Sequence, residues 1–195
     1  MEEWYYSMEL PSKNFVCGYC DKDINSYKGY YLASGGSSHY DGNGFIYICH
    51  HCNKPTYINY KEQVPGAKYG ESFDREIFDD ELVYILYEEA RNCMKANSYT
   101  SVGMCCRKLL MHIAVSCGAK EGKSFKEYVE YLDENNYIPT NCKEWVDIIR
   151  TKGNEANHEI IILDKNDAKQ LISFTQMIIS VIYKMKYEAK KYLEE

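Results

Sequence analysis

Hydrophobic and polar positions alternate in two different rhythms along the chain, and the change falls near residue 72. From Phe15 to Ile58 short aromatic or β-branched runs are separated by turn residues: Phe15-Val16, Gly29 to Leu32, Phe45 to Ile48 and Thr56 to Ile58. That pattern predicts short strands. Between the second and third lies Ser34 to Gly44, a Gly/Ser/Asn-rich stretch that reads as a loop. Beyond residue 72 the period becomes 3.6, and five helices follow. The first is expected over about Asp74 to Ala96, with Ile77, Phe78, Leu82, Ile85, Leu86, Ala90 and Cys93 inward. The second, Thr100 to Cys117, turns Val102, Cys106, Leu109, Leu110, Ile113 and Ala114 inward and stops at Gly118. Ser124 and Glu127 form a capping box ahead of the third, which Pro139 limits to Ile138. The fourth, Thr140 to Thr151, should bury Trp145, Ile148 and Ile149. The fifth starts at Asp164 or Asn166 and runs towards Lys191. The expected organisation is a β domain over 1–60, a linker over 61–72 and an all-α domain over 73–195.

Composition narrows the chemistry. With 23 Lys and Arg against 29 Asp and Glu the net charge is −6, so this is no globally basic polyanion binder. Through Gly70 six basic residues meet seven acidic ones, which leaves −5 on the helical part, and any polyanion site there must be a local patch. The start, Met1-Glu-Glu-Trp, lacks a signal-peptide pattern, and no apolar run is long enough to span a bilayer, so a cytoplasmic location and no membrane partner are expected.

Nine cysteines in a reducing compartment argue against a disulfide scaffold. Four are paired by spacing: Cys17-x2-Cys20 and Cys49-x2-Cys52, each beside a predicted strand. Two such knuckles supply four soft ligands, the arrangement of a small β zinc ribbon holding a structural Zn2+ on four cysteines. His50 and His51 lie inside the second knuckle, but four thiolates already complete a tetrahedron, and they read as exposed or supporting residues. A ribbon presents loops either to a protein partner or to nucleic acid. Lys22, Lys28, Lys54 and Lys61 with Tyr19, Tyr30, Tyr31, Tyr40 and Tyr57 suit single-strand stacking, although the segment is not net positive. The other five cysteines, Cys93, Cys105, Cys106, Cys117 and Cys142, fall in helical pattern and read as small core residues.

The second unusual stretch is Ile148-Ile-Arg-Thr-Lys-Gly-Asn-Glu-Ala-Asn-His158. If helical geometry persists through Gly153, Arg150, Asn154 and His158 share one face at i, i+4, i+8. That face combines a permanent cation, an amide and an imidazole, a set suited to phosphate handling and proton transfer near neutrality. Gly-Asn is equally a helix-ending signature, in which case Asn154 or Asn157 caps the break and Arg150 pairs with Asp147 or Glu155.

Through "IRTKGNEANH" and the upstream helix "VGMCCRKLL", the stretch from about Tyr84 to Tyr183 resembles the domain-of-unknown-function family 4145, a helical family grouped with the HEPN superfamily. The resemblance implies an all-α HEPN-like bundle that dimerises, often in bacterial antiviral systems, and it implies RNA as a partner. It assigns Arg150 and His158, accompanied by Asn154, to metal-independent endoribonuclease chemistry, and Arg107 matches a basic position of the family; Arg107, Lys108 and Lys152 are the expected RNA contacts provided that the acidic residues segregate away from them. Seven residues separate Arg150 from His158, more than the superfamily commonly places between its catalytic pair. Met111 also stands where an acidic residue is common. The alternative is a non-catalytic dimeric module, an adaptor or regulator, whose ribbon docks a protein.

Overall fold

The computed structural model describes residues 3–33, 44–152 and 162–194, and the chain divides into two units, Met1–Lys68 and Tyr69–Glu195. In the first, five strands form an antiparallel meander in sequence order: β1 (Met8–Val16), β2 (Asp23–Tyr31), β3 (Phe45–Ile48), β4 (Pro55–Ile58) and β5 (Gln63–Val64). Phe15 pairs with Ile24, Tyr31 with Phe45, and Ile48 with Pro55, so both cysteine knuckles hang from the ends of paired strands. β1 starts well before the predicted Phe15. The register breaks between Glu9 and Lys13, where Pro11 has no N–H to donate to the ladder, and this hides the alternation in the sequence. A small core of Leu10, Phe15, Ile24, Tyr47 and Ile58 closes around Cys17 and Cys49.

β5 lies inside the span expected to be a linker, and residues 63–66 of that span pack within the sheet unit. Gln63 Nε2 donates to the Val16 carbonyl at 2.7 Å and to Pro65 O at 3.1 Å. Gly18, in the first knuckle, sits so close to the Pro65 and Gly66 carbonyls that a Cβ would overlap them. The Pro-Gly composition here marks a close backbone approach.

The second unit contains α1 (Glu81–Lys95), α2 (Tyr99–Ser116), α3 (Phe125–Glu134), α4 (Lys143–Lys152), α5 (Lys165–Ile179) and α6 (Met185–Glu194). α5 and α6 are one long helix interrupted by a π turn at Ser180–Lys184, matching the expected fifth helix. α2 buries all six of the side chains predicted to face inward. The capping box of Ser124 and Glu127 is formed, and Asp164 with Asp167 makes another at the start of α5. α3 stops at Glu134, short of the predicted limit, with Asn136 in the left-handed region at φ 61°.

α1 departs most from expectation. It begins at Glu81, after a short 3-10 turn at Arg75–Ile77, with Asp80 as N-cap accepting from the Leu82 amide at 2.9 Å. The helix therefore starts a new phase, and its buried face is Val83, Tyr87, Ala90, Arg91 and Met94, while Leu82 and Ile85 are exposed. In α4, Val146 and Ile149 are buried, Ile148 is exposed, and half-buried Trp145 packs edge-on against Phe174 at 5.5 Å between centroids.

Arg91 is 2% exposed. Its guanidinium meets Glu88 at 2.8 Å and donates to the Gly70 and Tyr69 carbonyls at 3.0 and 3.3 Å. Tyr87 Oη donates to the Glu71 carbonyl at 3.0 Å, and the Glu71 amide to Gln176 Oε1 at 2.9 Å, so residues 69–71 are laced to α1 and α5. Arg91→Ala strips these carbonyls of a buried donor and Glu88 of its cation; a loss of about 3 kcal/mol is expected in the denaturant midpoint of the helical signal.

His112 Nε2 on α2 stands 2.7 Å from Asp80 Oδ2. That contact, with the Leu82 amide, holds the Asp80 carboxyl below its ordinary value. The Ser124 amide, Lys123 and the Ser124 hydroxyl likewise hold Glu127 down, at about 2. Both carboxylates are lower in the folded chain than in the unfolded one, so their stabilisation is present above the ordinary carboxylate range and is lost as pH falls through the folded values. The melting temperature of the helical unit should therefore drop as pH is lowered from 4.5 to about 2. Glu127→Gln, which keeps the shape of the capping box without its charge, should flatten part of that fall.

Candidate metal centre and polar segment

The two knuckles are built alike. In the first, the Cys17 amide donates to Lys22 O at 2.9 Å and the Asp21 amide to Cys17 O at 2.9 Å. In the second, the Cys49 amide donates to Lys54 O at 3.0 Å and the Asn53 amide to Cys49 O at 2.8 Å. Asp21 and Asn53 are both left-handed, at φ 60° and 56°. Asp and Asn tolerate that conformation better than other residues with a Cβ. The repeated unit is thus Cys-x2-Cys-Asp/Asn-Lys, and the Asp/Asn and Lys positions were missed when only the cysteines were read, though the repeat was present in the sequence.

These turns bring the four sulfurs within 4.8 Å of one another. Cys17 Sγ lies 3.7 Å from Cys52 Sγ, and Cys20 Sγ lies 3.8 Å from Cys49 Sγ. A tetrahedral four-sulfur site with metal–sulfur bonds of about 2.3 Å has edges of about 3.8 Å, so the spacing fits such an ion. Cys17 and Cys49 are fully buried, Cys20 and Cys52 half-buried. Burial works against ionisation of Cys17, but the Cys20 and Tyr19 amides and the Cys52 side chain outweigh it and bring its thiol down. Burial raises Cys20, and burial with the neighbouring sulfurs pushes Cys52 up to about 12. Several thiolates cannot share this space without a cation between them, and the donor set can hold a metal ion.

The described residues of the second expected site fall on two helices, α2 and α4. Arg150 and Lys152 belong to the last turn of α4, while Asn154 and His158 lie outside the described residues. Arg107, half-buried on α2, places its guanidinium 4.8 Å from the centroid of the Phe125 ring on α3, and Lys108 beside it is exposed. Arg107 therefore joins two helices as well as carrying charge.

Residues 88–195 match the family model for a domain of unknown function, DUF4145. The match covers more than half of the chain, which belongs to that family. No curated protein and no solved structure matches it. Among the described residues, no helix is long and apolar enough to cross a membrane.

Proposed function

We propose that this chain is a HEPN-like, defence-associated protein that binds RNA and cleaves it by a metal-independent mechanism, acting as a homodimer of its helical unit. The observation that carries the reading is the Arg150, Asn154, His158 series, which begins in the last turn of α4 in a chain of the DUF4145 family. In this reading Arg150 stabilises charge on the phosphate, His158 moves protons, and Arg107, Lys108 and Lys152 meet the backbone of the RNA. The sheet unit is a zinc ribbon, and its Zn2+ is structural, since four cysteines leave no position open for water. The test is cleavage of single-stranded RNA in buffer without added divalent metal, comparing the natural chain with His158→Ala.

A second reading is supported by a separate observation. Leu82 and Ile85 on α1 and Met104 on α2 are 65%, 48% and 68% exposed, apolar side chains of the kind an interface covers. In that case the chain is a non-catalytic dimeric adaptor or regulator. Leu82→Glu should then convert dimer to monomer in sedimentation, while RNA added to the natural chain stays intact.

A further inference from the structure

Beside the second knuckle, the sheet unit has a groove of about 480 Å³, within the range of ligand-sized sites. Trp4, Tyr27, Lys28 and His50 line it together with Asn25 and Asn53. The ring of Trp4 is fixed in place: its Nε1–H donates to the Asn53 carbonyl at 3.0 Å, and it meets Tyr30 edge-on with centroids 6.3 Å apart. It remains 37% exposed, and Tyr27 is 58% exposed. Ser26, buried beneath, donates to the Ile48 carbonyl at 2.9 Å and ties the adjacent strands together. We infer that this groove binds an unpaired nucleobase of a single-stranded nucleic acid, stacked on Tyr27 and Trp4, with Lys28 meeting a flanking phosphate.

The chemistry selects a base over other ligands. Two exposed rings offer sequence-tolerant stacking, and beside them the Asn25 amide oxygen is an acceptor that a base edge can use, its Nδ2 being held by Asn14 Oδ1. Glu3 also lines the groove and offsets Lys28, so the lining has little net charge, as has the whole segment through Gly70. A bare polyanion would gain little here, and the rings must supply the affinity. This inference goes beyond the α4 segment, because the sheet unit holds a strand whether or not the helical unit cuts one.

The test uses the full chain with fluorescent oligothymidylate, which has no 2′-hydroxyl and cannot be cut, and the full-length His158→Ala chain with oligouridylate; both present unpaired bases. Tyr27→Ala should weaken binding about ten-fold, and Tyr27→Phe should retain it. Lys28 neutralises one phosphate, so Lys28→Ala should make the salt slope shallower by only about 0.7, and inorganic polyphosphate should not remove the Tyr27-dependent part of the binding. A 4-thiouridine oligonucleotide should crosslink to the peptide carrying Trp4 or Tyr27. Unchanged affinity in Tyr27→Ala, loss of the Tyr27-dependent part of the binding to polyphosphate, or Tyr27-dependent binding of peptides in place of oligonucleotides overturns the inference. Crosslinks confined to residues 69–195 overturn it while leaving the proposed function standing; crosslinks at Trp4 or Tyr27 with no cleavage do the reverse.

Discussion

If the four-cysteine cluster holds the proposed structural zinc, a chelator should unfold the sheet unit. Loss of the strand signals of residues 3–68 is expected in amide spectra, together with release of one zinc ion per chain. The buried core there contains Leu10, Phe15, Ile24, Tyr47 and Ile58, and the other two buried members of the cluster are Cys17 and Cys49, the proposed ligands. So small a core cannot offset the entropy of ordering this many residues. Structural zinc contributes about 10–16 kcal/mol of apparent binding energy at neutral pH in zinc-finger peptides, as much as the roughly 8–15 kcal/mol that five buried apolar side chains supply, so its loss would remove about half of what opposes that entropy. Cys49→Ser should reproduce the effect without chelator, whereas His51→Ala, which alters an exposed knuckle residue, should leave zinc content unchanged. Zinc release should also become easier on acidification, because each thiolate released by the metal takes up a proton. Retention of the strand signals in a metal-free sample would remove the structural role.

The four-cysteine cluster was legible because a knuckle is local: two residues between cysteines fix the geometry whatever lies elsewhere. The same holds for the capping box at Ser124, whose partner sits three residues away. What could not be read depends on contacts distant in sequence or on a phase reset. Leu82 and Ile85 fit a helical stripe running from Asp74, but the Asp80 cap restarts the helix, and the inward face passes to Val83 and Tyr87. Buried Arg91 carried no local signal, since its acceptors are the carbonyls of Tyr69 and Gly70, 22 and 21 residues away along the chain. Pro65 and Gly66 resembled a linker by composition, and only the approach of Gly18 explains them. The Arg150 series was visible as a pattern, but its geometry depends on Asn154 and His158, outside the described residues.

On the proposed reading, His158→Ala should lower RNA cleavage by about 10²–10⁴-fold, the usual contribution of a positioned acid or base, at an unchanged melting temperature. A 2′-hydroxyl that attacks the adjacent phosphorus must lose a proton, and the departing 5′-oxygen must gain one, so the products carry a 2′,3′-cyclic phosphate and a 5′-hydroxyl. An imidazole, with an ordinary pKa of about 6.5, can perform either transfer near neutrality. Arg150→Ala should cost about 10²–10³-fold through lost stabilisation of the pentavalent phosphate charge. The double variant should be little worse than either single one, because groups that act in one step are not additive. The wide spacing of Arg150 and His158 adds a sharper expectation. If a phosphate takes its arginine from one protomer and its histidine from the other, mixing the two inactive single variants should restore part of the activity, since mixed dimers rebuild one complete site. Full cleavage by His158→Ala would end the catalytic assignment, whereas a loss that mixing fails to restore would place both groups on the same protomer.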